Sequence, residues 1–142
     1  MLCIFFNLGL MKKVKKILII EDDATTAFLH QRLLQDMDVA EEIEYITDPQ
    51  QALEYLQNNH SAADLIFLDV EMPQMDGFQF LDKLEARGIS LKDIFIVMHT
   101  ASMSPEHKKK AETLYGEKLK GFVQKPLQAE FIKDAICKID RV

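Results

Sequence analysis

Acidic, hydroxyl and cationic side chains recur in this sequence where apolar runs end. Glu21-Asp22-Asp23 follows the run closing at Ile20, Asp69 follows Leu65-Ile-Phe-Leu68, Thr100-Ala101 comes shortly after Ile94–Met98, and Lys125-Pro126 comes just after Gly121-Phe-Val123. Brought together, such carboxylates repel: a pair about 4 Å apart costs roughly 4 kcal/mol at an effective dielectric near 20. Protons or a cation must relieve that repulsion. An all-oxygen ligand set on an open site suits Mg2+, with waters completing its shell. A carboxylate beside such an ion can attack phosphorus and form an aspartyl phosphate. The ion and the Lys125 ammonium would stabilise the transferring oxygens.

The elements that must position these residues are short apolar runs alternating with segments of helical period. Lys16–Ile20 is the first run, and a helix with Leu29, Leu33, Leu34 and Met37 on one stripe follows it. Glu42–Thr47 alternates polar and apolar residues, and Asp48-Pro49 then caps and opens a helix carrying Ala52, Leu53 and Leu56. The third run ends at Asp69; a loop marked by Pro73 and Gly77 leads to a helix with Phe78, Leu81 and Leu84. After Ile94–Met98, Ser104 and Pro105 open a polar helix reaching Tyr115. A short fifth strand, Gly121–Val123, precedes a helix with Phe131, Ile132, Ala135, Ile136 and Ile139 on one face. Five βα units in this order predict an α/β fold with a parallel sheet covered on both faces. The continuously apolar runs belong inside that sheet, and the alternating second strand belongs at an edge. The pattern matches a flavodoxin-like, doubly wound, five-stranded (βα)5 sheet of order 2-1-3-4-5. Ligands there bind outside the carboxyl ends of the strands, where strand order reverses. For this order that point lies between the first and third strands, so Glu21, Asp22, Asp69, Thr100 and Lys125 are predicted to share one rim.

These segments resemble the response-regulator receiver signature: Glu21-Asp22-Asp23, Leu68-Asp69-Val70-Glu71-Met72-Pro73-Gln-Met-Asp76-Gly77, Thr100-Ala101 and Lys125-Pro126, each at a strand end and in order. The resemblance covers residues from about 15 to 140. It implies that Asp69 is the phosphoacceptor, that Asp22 binds Mg2+ directly and Glu21 through water, and that Glu71 offers its backbone carbonyl. It implies that Lys125 contacts a phosphoryl oxygen, with a cis bond to Pro126, and that Thr100 and the Ala101 backbone close on the phosphoryl group. Phe122 takes the aromatic switch position, and Met72-Pro73 and Gly77 shape the loop after the acceptor. The implied partners are a histidine kinase or histidine phosphotransfer protein as donor and a protein target for the switched surface.

Taken singly, each residue has a plainer role. Asp22 and Asp23 suit a helix N-terminus, Asp69 a strand end, Thr100 a turn, Lys125 a solvated charge and Phe122 the core. Their joint arrangement favours function. His30, His60, His99 and His107 are scattered and predict no ligand set; His99, adjacent to Thr100, should point to the opposite face and pack there. Lys108-Lys109-Lys110 reads as a solvated helix face. Glu71, two residues after the acceptor, adds a negative side chain at the site entrance, and Ser102, two after Thr100, is small and polar. In the family these two positions tune phosphoryl lifetime.

With 142 residues, 48% hydrophobic and 28% charged, the chain fits one soluble domain, and its net charge of −6 disfavours direct contact with nucleic acid. Residues 14–142 are expected to form the receiver. Residues 1–13 are expected to be a loose extension: Met1–Leu10 is too short to span a bilayer and carries its lysines on the wrong side for a secretion signal. A membrane-touching segment is the alternative there. Cys3 and Cys137 lie at opposite ends and suggest reduced thiols in a cytoplasmic protein, with a disulfide between them as the alternative. No effector segment follows the fifth helix, so a stand-alone receiver acting through another molecule is expected, a phosphoacceptor rather than a turnover enzyme. One rival is a haloacid-dehalogenase-like phosphatase, but that family carries an Asp-x-Asp nucleophile on its first strand. Another is a pseudo-receiver that only binds partners, against which the intact Asp69 and Lys125 speak.

Overall fold

A computed structural model describes residues 13–59, 63–116 and 118–140. In chain order it contains β1 (Val14–Ile20), α1 (Ala24–Met37), β2 (Ala40–Ile46), α2 (Pro49–Asn58), β3 (Leu65–Asp69), α3 (Gly77–Ala86), a 3-10 turn (Leu91–Asp93), β4 (Ile96–Thr100), α4 (Pro105–Leu114), β5 (Gly121–Gln124) and α5 (Ala129–Asp140). All paired strands are parallel, in the predicted order β2-β1-β3-β4-β5. Alternate residues of the central strands feed opposite faces. Leu18, Ile20, Ile66, Leu68, Ile96 and Met98 pack with Leu53 and Leu56 of α2 and Phe80, Leu81 and Leu84 of α3. Ile17, Ile19, Leu65, Phe67, Val97 and Val123 pack with Leu34 of α1 and Ile132 and Ile136 of α5. β2 is a terminal strand, as expected; adjacent Glu41 and Glu42 are both exposed and Ile43–Ile46 are partly buried, so its burial does not alternate residue by residue.

Helix starts follow local chemistry. The Asp48 carboxylate accepts from the Gln50 N–H at 2.9 Å and Pro49 opens α2. Asp76 and Gln79 form a reciprocal capping box on α3. Ser104 accepts from the His107 N–H at 3.1 Å ahead of Pro105.

Several expectations are corrected. β4 starts at Ile96 rather than Ile94, because the Leu91–Asp93 turn takes up the preceding residues and Ile94 is buried for packing, outside the sheet. On α1 the inward residues are Ala27, His30 and Leu34, while Leu29 is 58% exposed. On α5 Phe131 is 45% exposed beside buried Ile132. Both misplaced residues sit one position, about 100° of helix rotation, from the residue that packs. Cys137, buried on α5, is disulfide-bonded, so the expected free thiol is absent there; Cys3, like His60, lies outside the described residues. No described helix is long and apolar enough to cross a membrane.

Candidate functional site

The ends of β1, β3, β4 and β5 meet at one rim. The Ile20–Leu68 pairing brings Glu21 alongside Asp69, and Asp69 pairs with His99 across the β3–β4 ladder. The Lys125 N–H donates to the Thr100 carbonyl at 2.7 Å, which fixes where its side chain starts. The Lys125 Nζ lies 2.7 Å from Glu21 Oε1 and 3.2 Å from Asp69 Oδ1. Glu21 and Asp69 are 1% and 2% exposed, so this contact forms away from water. The Lys125–Pro126 bond is cis.

Electrostatics follow from this crowding. Burial, and next the Glu21 carboxylate, push the Asp69 pKa up to about 7 against the pull of Lys125. Burial and then Asp69 raise the pKa of partly exposed Asp22. Burial opposes the Lys125 charge, but the Glu21 and Asp69 carboxylates outweigh it and hold that pKa above its usual value. Exposed Asp23 accepts from the Thr26 hydroxyl at 2.5 Å, and its pKa is lowered chiefly by that bond. One ammonium among several carboxylates leaves negative charge uncompensated, and buried Glu21 Oε2 has no hydrogen-bond partner. The donor set and its charge therefore fit a divalent cation.

The loop after Asp69 is held tightly. The Glu71 N–H donates to Asp69 Oδ1 at 3.3 Å, and the Gly77 N–H to the Val70 carbonyl at 2.8 Å. A Cβ on Gly77 would stand 2.7 Å from the Asp69 carbonyl oxygen and would overlap the Met98 methyl. Thr100 is fully buried, and its hydroxyl has two acceptors for its one proton, the Glu71 carboxylate and, at 2.8 Å, the Ser102 carbonyl. The Ser102 N–H returns a bond to Thr100 Oγ1 at 3.1 Å. Ala101 is exposed at the rim. Phe122 pairs with Met98, below the rim, and is partly buried against the core. Glu21, Asp22, Asp69, Glu71, Thr100 and Lys125 thus converge, while Phe122 stands apart from the carboxylates.

Two features escaped sequence reasoning. The Glu71 side chain is bonded to Thr100, where only a negative entrance was expected. His99 does face away from Thr100 and packs, its ring 5.1 Å from that of buried His30 in an edge-on contact. It also lies near two carboxylates, a proximity the sequence did not suggest: one ligand atom each from Glu21, Asp69 and His99 lie within 4.8 Å of one another. The reason is register, since Asp69 and His99 are partners on adjacent strands. Burial, then Lys125 and His30, lower the His99 pKa far below the imidazole range; burial and Lys125 lower that of His30 to about 4.

Comparison with known proteins gives a consistent result. The family model described as "Response regulator receiver domain" matches residues 17–137. The transcriptional regulatory protein CitT of Halalkalibacterium halodurans is 32% identical over 126 residues, covering 86% of this chain and 50% of CitT. The probable methanogenesis regulatory protein FilR2 of Methanothrix harundinacea is 28% identical, covering 87% of this chain and 79% of FilR2. The chain thus spans only half the length of CitT. A crystal structure of a two-component response regulator from Cytophaga hutchinsonii superposes with a TM-score of 0.84 at 24% identity, covering 92% of this chain and all of that one, and shows the same fold.

Proposed function

Because the chain belongs to the response regulator receiver family, we propose that Asp69 accepts a phosphoryl group from a phosphohistidine on a histidine kinase or histidine phosphotransfer protein, and that transfer switches binding to a protein target. An Asp69 carboxylate oxygen attacks phosphorus, the P–N bond to the donor breaks, and the released imidazole takes up a proton. Lys125 Nζ, 3.2 Å from Asp69 Oδ1, is placed to hold a phosphoryl oxygen. Asp22, Asp69 and the Glu71 carbonyl would hold Mg2+, with Glu21 acting through water. The bound ion supplies charge neutralisation at the phosphoryl oxygens. Thr100 exchanges its Glu71 and Ser102 contacts for a phosphoryl oxygen, and the Ala101 N–H donates to another. Phe122 then turns inward, reshaping the surface of α4, β5 and α5, where Tyr115 and Phe131 are 57% and 45% exposed. Shifting such a switch from 1:99 to 99:1 takes about 5.5 kcal/mol of differential interaction. One or two charge-assisted bonds at ~1.5–3 kcal/mol each give a substantial but partial shift.

We assign residues 14–142 to the receiver and 1–13 to an extension, and read the chain as a phosphoacceptor rather than a turnover enzyme. The single observation that carries the reading is the buried Glu21–Lys125–Asp69 cluster at the switch point of the sheet. The test is incubation with acetyl phosphate and Mg2+, followed by intact-mass measurement, with Asp69→Ala as control. An added phosphoryl mass on the wild type alone is expected. Its absence favours a binding-only receiver, and steady hydrolysis of a small phosphate ester favours the phosphatase.

A further inference from the structure

We propose that Glu21, Asp69 and His99 form a site for a divalent transition metal of the zinc class, and that an ion held there withdraws Asp69 from phosphoryl transfer. The site itself follows from geometry; its effect on phosphorylation rests on the reading of Asp69 as phosphoacceptor. Glu21 continues β1, Asp69 ends β3, and His99 is the register partner of Asp69 on β4. One ligand atom from each lies within 4.8 Å of the others, and all three residues are buried. Among the described residues this is the group of metal-capable side chains that converges.

A second, independent observation points to a ligand. His99 is 0% exposed, and neither ring nitrogen has a hydrogen-bond partner; Glu21 is 1% exposed, and its Oε2 has none. Buried polar atoms in native proteins are almost always bonded, so three orphaned atoms on two of the converging residues mark a place where something is to be bound. The edge-on contact with His30 holds the His99 ring plane. Lys125 engages Glu21 through Oε1 and leaves Oε2 available.

The donor set selects the metal class. Mg2+ prefers oxygen ligands and retains waters, whereas imidazole favours zinc-class ions. Two carboxylates, one imidazole and an open fourth position match a three-ligand zinc site. Tetrahedral coordination at ~2.1 Å puts ligand atoms ~3.4 Å apart, which side-chain rotation can reach from the present spacing. Because both ions would use the Asp69 carboxylate, a zinc-class ion competes with phosphoryl transfer even when Mg2+ is abundant.

The test titrates Zn2+ into the metal-stripped full chain against a chromophoric chelator, for the wild type and His99→Leu. The expected result is at least ~100-fold weaker Zn2+ binding by the variant. Acetyl phosphate labelling of the wild type should fall with Zn2+ at fixed Mg2+, whereas labelling of the variant, at whatever level, should not respond to the same Zn2+ concentrations. Equal Zn2+ affinity in the two proteins overturns the proposal. If His99→Leu fails to fold, X-ray absorption on the Co2+-loaded wild type decides: an imidazole donor supports the site, and an all-oxygen shell overturns it. Failure of the phosphoacceptor reading gives a different signature, namely no phosphoryl mass with Mg2+ alone while His99-dependent Zn2+ binding persists.

Discussion

Replacing Asp69 with asparagine should stabilise the metal-free protein at neutral to alkaline pH, even though it removes the phosphoacceptor. The Asp69 carboxyl has its pKa raised from 3.8 to about 7, by burial first and then by Glu21, with Lys125 pulling the other way. An acid whose folded-state pKa is raised favours folding in its protonated form. Its contribution is fully present below the unfolded value of 3.8 and is lost as pH rises through about 7. A shift of that size corresponds to ~4 kcal/mol, an order-of-magnitude figure for a charge cluster. The amide of Asp69→Asn would keep the side chain's shape without the charge. In EDTA, urea unfolding at pH 8 should show the variant more stable by about 2–4 kcal/mol, a midpoint shift of roughly 1–2 M. The gap should narrow by about half at pH 5, where wild-type Asp69 is protonated when folded and mostly ionised when unfolded. Mg2+ should also narrow it, by stabilising the wild type more. If wild type and Asp69→Asn unfold together at pH 8 in EDTA, Lys125 already balances the site, and the inference of uncompensated negative charge is wrong.

Three further outcomes are expected. Gly77→Ala should cost ~1–3 kcal/mol in urea unfolding and slow labelling by acetyl phosphate, because its Cβ would press on the Asp69 carbonyl oxygen at 2.7 Å; unchanged stability would show that the loop yields freely. Glu71→Ala should remove one of the contacts that hold the Thr100 hydroxyl, leaving those to Ser102, and raise the labelled fraction roughly two- to fivefold, the worth of about one modest hydrogen bond. If both that fraction and the dephosphorylation half-life match wild type, Glu71 does not restrain the switch. His30, facing His99 and Lys125, has its pKa lowered from 6.5 to about 4. Its neutral burial favours folding above pH 6.5, and that contribution is lost as pH falls through about 4. His30→Leu should therefore flatten the acid side of the stability profile by up to ~3 kcal/mol, as read by denaturant unfolding between pH 4 and 7.

The strand order was legible because β2 alternates while β1, β3 and β4 do not, and burial on one face or two leaves that imprint directly in residue type. The rim was legible because parallel strands present their carboxyl ends together, so Glu21, Asp69, Thr100 and Lys125 needed only the right order. His99 was not legible as a neighbour of Asp69. Its partner depends on β3–β4 register, and a shift of one residue would set a different residue of β4 beside Asp69. The bond from Thr100 to Glu71 depends on side-chain rotamers, which spacing does not encode. Leu29 and Phe131 misled because an apolar residue flanking a packing stripe looks like part of it; the neighbouring helices and strands decide which side is covered.

Among the described residues β2 is an outermost strand, and no described strand pairs with its far side. Glu41 and Glu42 are exposed there, and Glu42 and Glu44 draw Lys16 inward to 3.2 and 2.6 Å, so the lysine charge is spent on its own sheet. Two copies meeting margin to margin would set like charges against each other, which opposes strand addition. The same acidic residues that mark β2 as peripheral therefore act against self-association into extended aggregates.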